Sequence, residues 1–178
     1  MTDSGSLALV RPSSEYIEDI RLYRQEFITY DSSFNGDSRL AEFEDIGEWI
    51  NFCKLMESQK TVPVPGWVES DQFMLVDTDK HRILGMINFR HRLNDYLKVC
   101  GGHIGYSVRP TERRKGYAKI MLALCLEECK NGRYEKVLIT CSEDNEASRR
   151  TIIACNGVYE KTVTDGERRI EHYWINLE

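Results

Sequence analysis

The chain has 178 residues, of which 41% are hydrophobic and 30% are charged, and its formal net charge at pH 7 is −5. This length and composition predict one globular domain that spans residues 1–178 and buries a sizeable core. The acidic balance argues against a nucleic-acid-binding protein, and no apolar run approaches the ~20 residues of a membrane span.

The cysteines and the N-terminal residues bear on the cellular compartment of the protein. The six cysteines contain no CxxC pair and stand at Cys53, Cys100, Cys125, Cys129, Cys141 and Cys155. Because this spacing is unlike that of a zinc site, we expect buried, reduced thiols and no bound metal. The first ten residues lack the charged and apolar regions of a signal peptide. We therefore expect a cytoplasmic protein.

The first half of the chain shows two stretches with helical spacing, separated by a polar loop at residues 31–39. Prolines and a glycine at residues 61–70 exclude a helix there. Two apolar runs joined by a polar turn then indicate a hairpin. The predicted elements are a strand at 7–10, helices at 16–27 and 42–57, and strands at 73–76 and 83–89.

The second half continues with a strand at 103–108, a helix at 117–130, a strand at 137–141, a helix at 146–156 and strands at 158–163 and 170–177. Asn131-Gly132 and Gly157 supply the stops after the two helices. The predicted order is β-α-α-β-β-β-α-β-α-β-β. It indicates an α/β (α+β) fold, with one mixed sheet and helices on both of its faces.

Residues 101–118 combine a strand, a basic turn and the start of a helix. The strand HIGYSV turns at Arg109-Pro110, and a basic cluster with a glycine then leads into the helix. Free backbone N–H groups and the dipole at a helix N-terminus favour anions, and glycine allows a ligand to approach the backbone closely. This stretch therefore predicts a binding site for a small phosphate-bearing ligand.

The same stretch resembles a known signature. Val108-x-Pro110-x-x-Arg113-x-x-Gly116-x-Ala118 after a strand is similar to the acyl-CoA-binding motif R-x-x-G-x-G/A of the GNAT superfamily of N-acetyltransferases. The predicted element order is also that of the GNAT fold. The chain further looks like a bacterial subgroup of predicted acetyltransferases, which share stretches that here read RHRLN (90–94), GGHIGYSVRP (101–110) and VLITC (137–141).

The resemblance implies acetyl-CoA as co-substrate, held where the fourth strand splays from the fifth. A second signature, Asn145-x-x-Ser148, opens the helix after the fifth strand. The diphosphate would lie on the basic turn, and the pantetheine arm would lie along the fourth strand as an extra strand. The implied cofactor-binding residues are Tyr106, Ser107, Val108, Arg113, Arg114, Lys115, Gly116, Tyr117, Ala118, Asn145 and Ser148.

The implied reaction is direct attack of a primary amine on the thioester in a ternary complex. An amine arrives protonated, so a general base is needed, often acting through a water. The candidates are His103 on the strand beside the cofactor, His91 at the end of the preceding strand, and Glu143 as a weaker choice. No cysteine is required by this chemistry.

The proton donor to the leaving thiolate departs from the family pattern. Many members place a tyrosine seven residues after the Asn of the fourth main helix, and this chain has Ile152 there. Tyr106 or Tyr159 would have to replace it. Alternatively, the thiolate leaves without an acid, because a thiol pKa near ~8.5 makes it a tolerable leaving group.

The acceptor is the least determined part. A carboxylate on the acceptor would suit Arg90, Arg92 and Asn94. A cationic amine would instead suit the acidic residues between 31 and 45. Trp67 would either line the acceptor pocket or anchor the core. We expect a small-molecule acceptor, with a protein or peptide amine as the alternative. A non-catalytic acyl-CoA sensor is the alternative of another class, and a homodimer is left open.

Overall fold

The computed structural model describes residues 6–177 of the chain. Within that range the α-helices are α1 Ile17–Thr29, α2 Ile46–Met56, α3 Asp95–Val99, α4 Tyr117–Asn131 and α5 Glu146–Ala154. The strands are β1 Leu7–Val10, β2 Ser70–Asp77, β3 Arg82–Arg90, β4 Ile104–Val108, β5 Lys136–Ser142, β6 Val158–Asp165 and β7 Arg168–Asn176. All the predicted major elements are present.

The seven strands form one sheet in the order β1-β2-β3-β4-β5-β7-β6. Neighbouring strands are antiparallel except β4 and β5, which are parallel and share a single paired position, Ile104 with Ile139. By contrast, β3 and β4 pair continuously from Gly85–Val108 to Phe89–Ile104. Since β4 leaves β5 after one pair, the expected splay between the fourth and fifth strands is confirmed.

Each face of the sheet carries its own buried cluster. Successive side chains of a strand point to opposite faces, so Phe73 and Ile87 pack under α4, whereas Met74 and Met86 pack under α1 and α2. Strands β2 and β3 are buried on both faces, which explains their nearly continuous apolar runs. The mixed sheet with helices on both faces is the arrangement that the sequence predicts.

Two local differences from the prediction have capping side chains as their cause. The polar stretch after β3 contains the short helix α3, because the Asn94 side chain accepts a hydrogen bond from the Leu97 N–H at 2.9 Å. Helix α2 starts only at Ile46, because the Asp45 side chain accepts from the Glu48 N–H at 3.0 Å. Residues 40–42 form a separate 3₁₀ turn before it.

The loop between α1 and α2 crosses β4 at one glycine. Gly36 has a φ of +65°, and a Cβ placed on it would lie 2.1 Å from the carbonyl oxygen of Gly105. Only glycine allows so close an approach. The crossing brings the residues that follow Gly36 to the middle of the sheet.

Within residues 6–177, no helix is long and apolar enough to cross a membrane. The same range holds no group of three or more His, Cys, Asp or Glu side chains that could bind a metal ion.

Candidate active site

A cleft of about 990 Å³ opens where β4 and β5 separate, and we call it the β4–β5 cleft. Its walls are β4, the end of β5 and the N-terminal turns of α4 and α5. Beyond Ile104 the edge of β4 that faces β5 has no partner strand. Gly105 and Ser107 direct their backbone groups at β3, so the groups available to a ligand along this edge are the N–H and C=O of Tyr106 and the N–H of Val108.

The turn that leads into α4 presents a run of free N–H groups. Among the described residues, no backbone N–H from 114 to 119 has a protein acceptor, and the first helical bond is from Ile120 to Gly116. Gly116 lies at the helix N-cap with a φ of +85°, and no atom lies within 4 Å of the place where its Cβ would be. These N–H groups and the helix dipole suit a diphosphate.

The basic side chains of this turn differ in how many protein partners they have. Arg113 donates to the Val108 carbonyl at 3.1 Å and to the Ser32 hydroxyl at 2.6 Å. Lys115 pairs with Glu112 at 2.8 Å. Arg114 has no partner within residues 6–177 and lines the cleft, so it is the base most available to a bound anion.

Tyr106 reaches across the cleft from β4 to α5. Its hydroxyl lies 2.9 Å from the Ser148 hydroxyl, and burial raises the pKa of Tyr106 to about 12. Asn145 caps α5, because its side-chain oxygen accepts from the Ser148 N–H at 3.1 Å. Ile152, one turn further along α5, is fully buried in the core and offers the cleft no polar group.

A second cavity of about 440 Å³ lies between the sheet and the α1–α2 loop, and we call it the α1–α2 cavity. Its walls come from residues 34–42, the side of α2, residues 67–70 and the end of β3. The residues that line both this cavity and the β4–β5 cleft are Asn35, Gly36, Arg90, Tyr96 and Leu97. The two spaces therefore adjoin at the crossing of Gly36 over β4.

Asp37 lines the α1–α2 cavity directly after this crossing. Its side chain is 6% exposed, and its Oδ2 atom has no hydrogen-bond partner. Burial raises the pKa of Asp37 to about 6, with a smaller contribution from the charge of Glu42, although the Arg39 N–H lowers it. In the sequence, Asp37 is one member of an acidic run, and nothing local distinguishes it from the exposed acids nearby.

The predicted acceptor residues have different environments in this cavity. Trp67 lines the wall with 38% of its surface exposed, and the guanidinium of Arg39 lies 5.4 Å from its ring centre. The amide of Asn94 is engaged by the backbone, since it caps α3 and donates to the Gly66 carbonyl at 3.0 Å. Arg90 lines both the cavity and the cleft.

Residues 7–157 match the family model described as an acetyltransferase (GNAT) domain. The chain belongs to the GNAT acetyltransferase family. It is thus an acetyl-CoA-dependent acyltransferase, as the resemblance implied. No curated protein sequence matches the chain.

Solved structures of other GNAT enzymes share this fold at low sequence identity. The microcin C7 self-immunity acetyltransferase, solved with acetyl-CoA and AMP, superposes with a TM-score of 0.69 at 19% identity, covering 98% of this chain and 97% of that one. The ribosomal-protein-S5-alanine acetyltransferase of Vibrio fischeri gives 0.72 at 16%, covering 97% and 93%. Spermidine N-acetyltransferase of Vibrio cholerae gives 0.63 at 13%, covering 96% and 94%. At these identities the likeness concerns the fold alone.

The base candidates expected from this GNAT sequence, and the alternative proton donor Tyr159, line neither space. His91 Nε2 lies 2.9 Å from Asp71 Oδ2, on the face of the sheet opposite the α1–α2 cavity. Glu143 pairs with Arg169 on the surface. Tyr159 is 53% exposed and bonds to a neighbouring threonine hydroxyl.

His103 turns towards β5 and away from the cleft. Its Nδ1 accepts a hydrogen bond from the Leu138 N–H at 2.9 Å, and its ring lies edge-on to Trp174. Burial, helped by the charge of Arg90, lowers the pKa of His103 to about 4. The ring is therefore neutral at pH 7 and joins β4 to β5 at the start of the splay.

We expect His103→Ala to act on stability. The change leaves the Leu138 N–H without an acceptor in a buried site, which costs about 1–3 kcal/mol of unfolding free energy, measurable by urea denaturation. His103→Asn keeps a hydrogen-bond acceptor near the Nδ1 position, so its free energy of unfolding should fall less. A variant of wild-type stability with a strongly reduced kcat would contradict this structural assignment.

Proposed function

We propose that the protein transfers the acetyl group of acetyl-CoA to a primary amine of a small molecule, by direct attack in a ternary complex. The observation that carries the proposal is the meeting of two spaces at Gly36. One is the open β4–β5 cleft with its run of free N–H groups, and the other is a smaller cavity lined by Asp37, a buried carboxylate whose Oδ2 atom has no hydrogen-bond partner. The first suits a nucleotide thioester and the second suits an amine.

Acetyl-CoA would be held by backbone more than by side chains. Its diphosphate would accept hydrogen bonds from residues 114–119, with Arg114 as the available charged contact and with Gly116, Tyr117 and Ala118 forming the closest part of the turn. Its pantetheine amides would pair with the free edge of β4 at Tyr106 and Val108, on either side of Ser107, whose own backbone groups point at β3. Asn145 and Ser148 would border the arm from α5.

Asp37, rather than His103 or His91, would be the general base. A carboxylate with a pKa near 6 is ionised at neutral pH and still accepts a proton, directly or through a water. The ammonium first loses one proton to solvent and becomes a neutral amine. In the step itself, a bond forms between the amine nitrogen and the acetyl carbon, the carbon–sulfur bond breaks, and the second proton of the nitrogen passes to Asp37. CoA leaves as its thiolate.

Tyr106 would assist the leaving thiolate as a hydrogen-bond donor. Its pKa of about 12 lies above that of a thiol, so it keeps its own proton at neutral pH. A hydrogen bond from its hydroxyl would stabilise the charge on sulfur without full proton transfer. The final proton would then come from solvent, as the buried Ile152 at the usual tyrosine position requires.

The size and walls of the α1–α2 cavity favour a small acceptor. About 440 Å³ accommodates a metabolite of moderate size, and Trp67 and Phe52 supply apolar wall. The single-domain organisation and a cytoplasmic location belong to this proposal. The location is supported by the cysteines, since all six are buried and unpaired.

The direct test is CoA release from acetyl-CoA, measured with a thiol reagent, over a panel of small primary amines, polyamines and peptides with free N-termini. We expect turnover on at least one class of small amine, and none on the corresponding tertiary amines. Turnover confined to peptides would assign the protein-acetylating alternative.

A sensor module would behave differently in the same experiment. It would bind CoA in calorimetry and release no thiol with any amine, and that result would refute the enzymatic proposal. Cys141→Ala serves as a control for direct transfer, because a covalent acetyl-cysteine intermediate would make that variant inactive.

A further inference from the structure

Arg90 is a half-buried cation without a counter-charge. Its Nη1 donates to the carbonyl oxygens of Gly101 at 3.0 Å and Gly102 at 3.3 Å, and no carboxylate pairs with it among the described residues. In contrast, the buried Arg109 pairs with Asp19 and Glu26. Burial lowers the pKa of Arg90, so its charge is held at a cost that a bound anion would offset.

The free end of this guanidinium faces the junction of the two spaces. The point where a Cβ of Gly105 would stand lies 3.2 Å from Arg90 Nη2 and 3.6 Å from the Cα of Gly36. Asp37 follows Gly36 directly in the chain. Arg90 and the backbone that leads into Asp37 therefore both lie beside Gly105, and the two charged side chains line the same α1–α2 cavity.

The α1–α2 cavity is lined by four charged side chains, and two of them neutralise each other. Arg39 and Glu42 form an ion pair within one turn. What remains is one carboxylate without a hydrogen-bond partner on Oδ2, Asp37, and one guanidinium without a carboxylate, Arg90. A ligand that complements both groups carries one positive and one negative charge.

We infer that the acceptor is an amino acid, which places its amine at Asp37 and its carboxylate at Arg90. This inference rests on the proposed function and narrows it to one substrate class. The planar fork of arginine matches a carboxylate, and the pairing would hold the amine beside Gly105. The atoms balance as before: the amine gains the acetyl group, the thiolate leaves and Asp37 receives the proton.

The rest of the cavity wall indicates the side chain. Phe52, Met56, Trp67 and Val68 line it with aromatic and aliphatic surface. An acceptor with an apolar or aromatic side chain would bury that surface, at about 25 cal/mol per Å² removed from water. We therefore expect L-phenylalanine, L-leucine, L-methionine or L-tryptophan among the best acceptors.

The test compares L-phenylalanine with phenethylamine, which has the same ring and amine and no carboxylate. We expect kcat/KM to favour phenylalanine on the order of 10- to 100-fold, the value of one charge-assisted arginine–carboxylate contact. In Arg90→Gln this ratio should fall to about 1, and Arg90→Lys should keep part of it. Because the ratio is taken within one enzyme preparation, partial unfolding of a variant does not affect it.

Arg92→Gln is the matched control. Arg92 stands two residues further along, pairs with Glu69 at 3.1 Å and lines neither space. Its substitution should leave the phenylalanine-to-phenethylamine ratio at the wild-type value. An equal response in the two variants would point to a general charge effect and would overturn the role of Arg90.

The other outcomes separate the two levels of the proposal. Turnover of amines with no preference for a carboxylate, or a preference that survives Arg90→Gln, overturns the amino-acid acceptor and leaves the acetyltransferase intact. If Arg90→Gln lowers kcat/KM equally for L-phenylalanine and phenethylamine, the amino-acid acceptor is also overturned, because Arg90 would then act on the thioester. Turnover of peptide N-termini alone, or of no amine, overturns the inference together with the proposed small-molecule function.

Discussion

Gly116→Glu is expected to abolish binding of CoA to a protein that remains folded. Gly116 has a φ of +85° at the N-cap of α4, and its missing side chain would point into open space that borders the β4–β5 cleft. A glutamate there would occupy the proposed diphosphate site with a negative charge. Like charges placed together at a binding site cost several kcal/mol, so Kd should rise on the order of 100-fold or more.

Two variants separate this electrostatic effect from backbone strain. Gly116→Ala introduces only a Cβ at the same positive φ, and its loss of affinity for CoA should be much smaller. Gly166→Glu makes the same substitution at another glycine with a positive φ of +60° and open surroundings, in a turn that lines neither space. It should bind CoA as the wild type does in calorimetry. Normal affinity in Gly116→Glu would refute the diphosphate site.

The fold could be predicted from the sequence because its information is local. Apolar runs of period 2 and stretches of helical spacing define the strands and main helices, and glycines define their ends. The cleft could also be predicted, since residues 101–118 are contiguous and carry their own strand, turn and helix start. The short helix α3 was missed, because its only signal is one capping residue, Asn94, before a single helical turn.

The proposed base, Asp37, could not be predicted in the same way, because its burial depends on contacts that are distant in the chain. Asp37 becomes buried when Gly36 packs on Gly105, which is 69 residues away in the chain, and no local pattern predicts that contact. His103 looked suitable because it stands beside the predicted cofactor strand. Which side of the sheet it faces is fixed by Leu138 and Trp174, which lie on other strands.

Asp37→Asn is the second large prediction, and it concerns activity and stability together. The variant removes the proposed base, so kcat should fall by about 100-fold or more. In the wild type, kcat should decline as pH falls through about 6, because Asp37 becomes protonated, and this acid limb should be absent from the residual activity of the variant. Burial is the main cause of the raised pKa of Asp37. The backbone N–H groups of Arg39 and of Asp37 itself lower this pKa, and the charge of Glu42 raises it.

Stability should change in the opposite direction. Asp37 ionises near 3.8 when unfolded and near 6 when folded, so ionisation favours the unfolded chain. The ionised Asp37 does not lower the free energy of unfolding at pH 3, and it lowers it fully above pH 6. There the difference between the folded and unfolded pKa values corresponds to about 3 kcal/mol. Asp37→Asn removes this charge and should therefore raise the midpoint of urea denaturation at pH 7.5 relative to the wild type.

The matched control is Glu44→Gln, an exposed acid seven residues further along that lines neither space. It should change neither kcat nor the denaturation midpoint. An Asp37→Asn variant that is less stable and fully active would mean that the carboxylate serves the fold. A variant that is more stable and inactive would mean that the chain keeps an unfavourable buried charge because the amine needs it, which is the physical argument for the α1–α2 cavity as the place where the acceptor reacts.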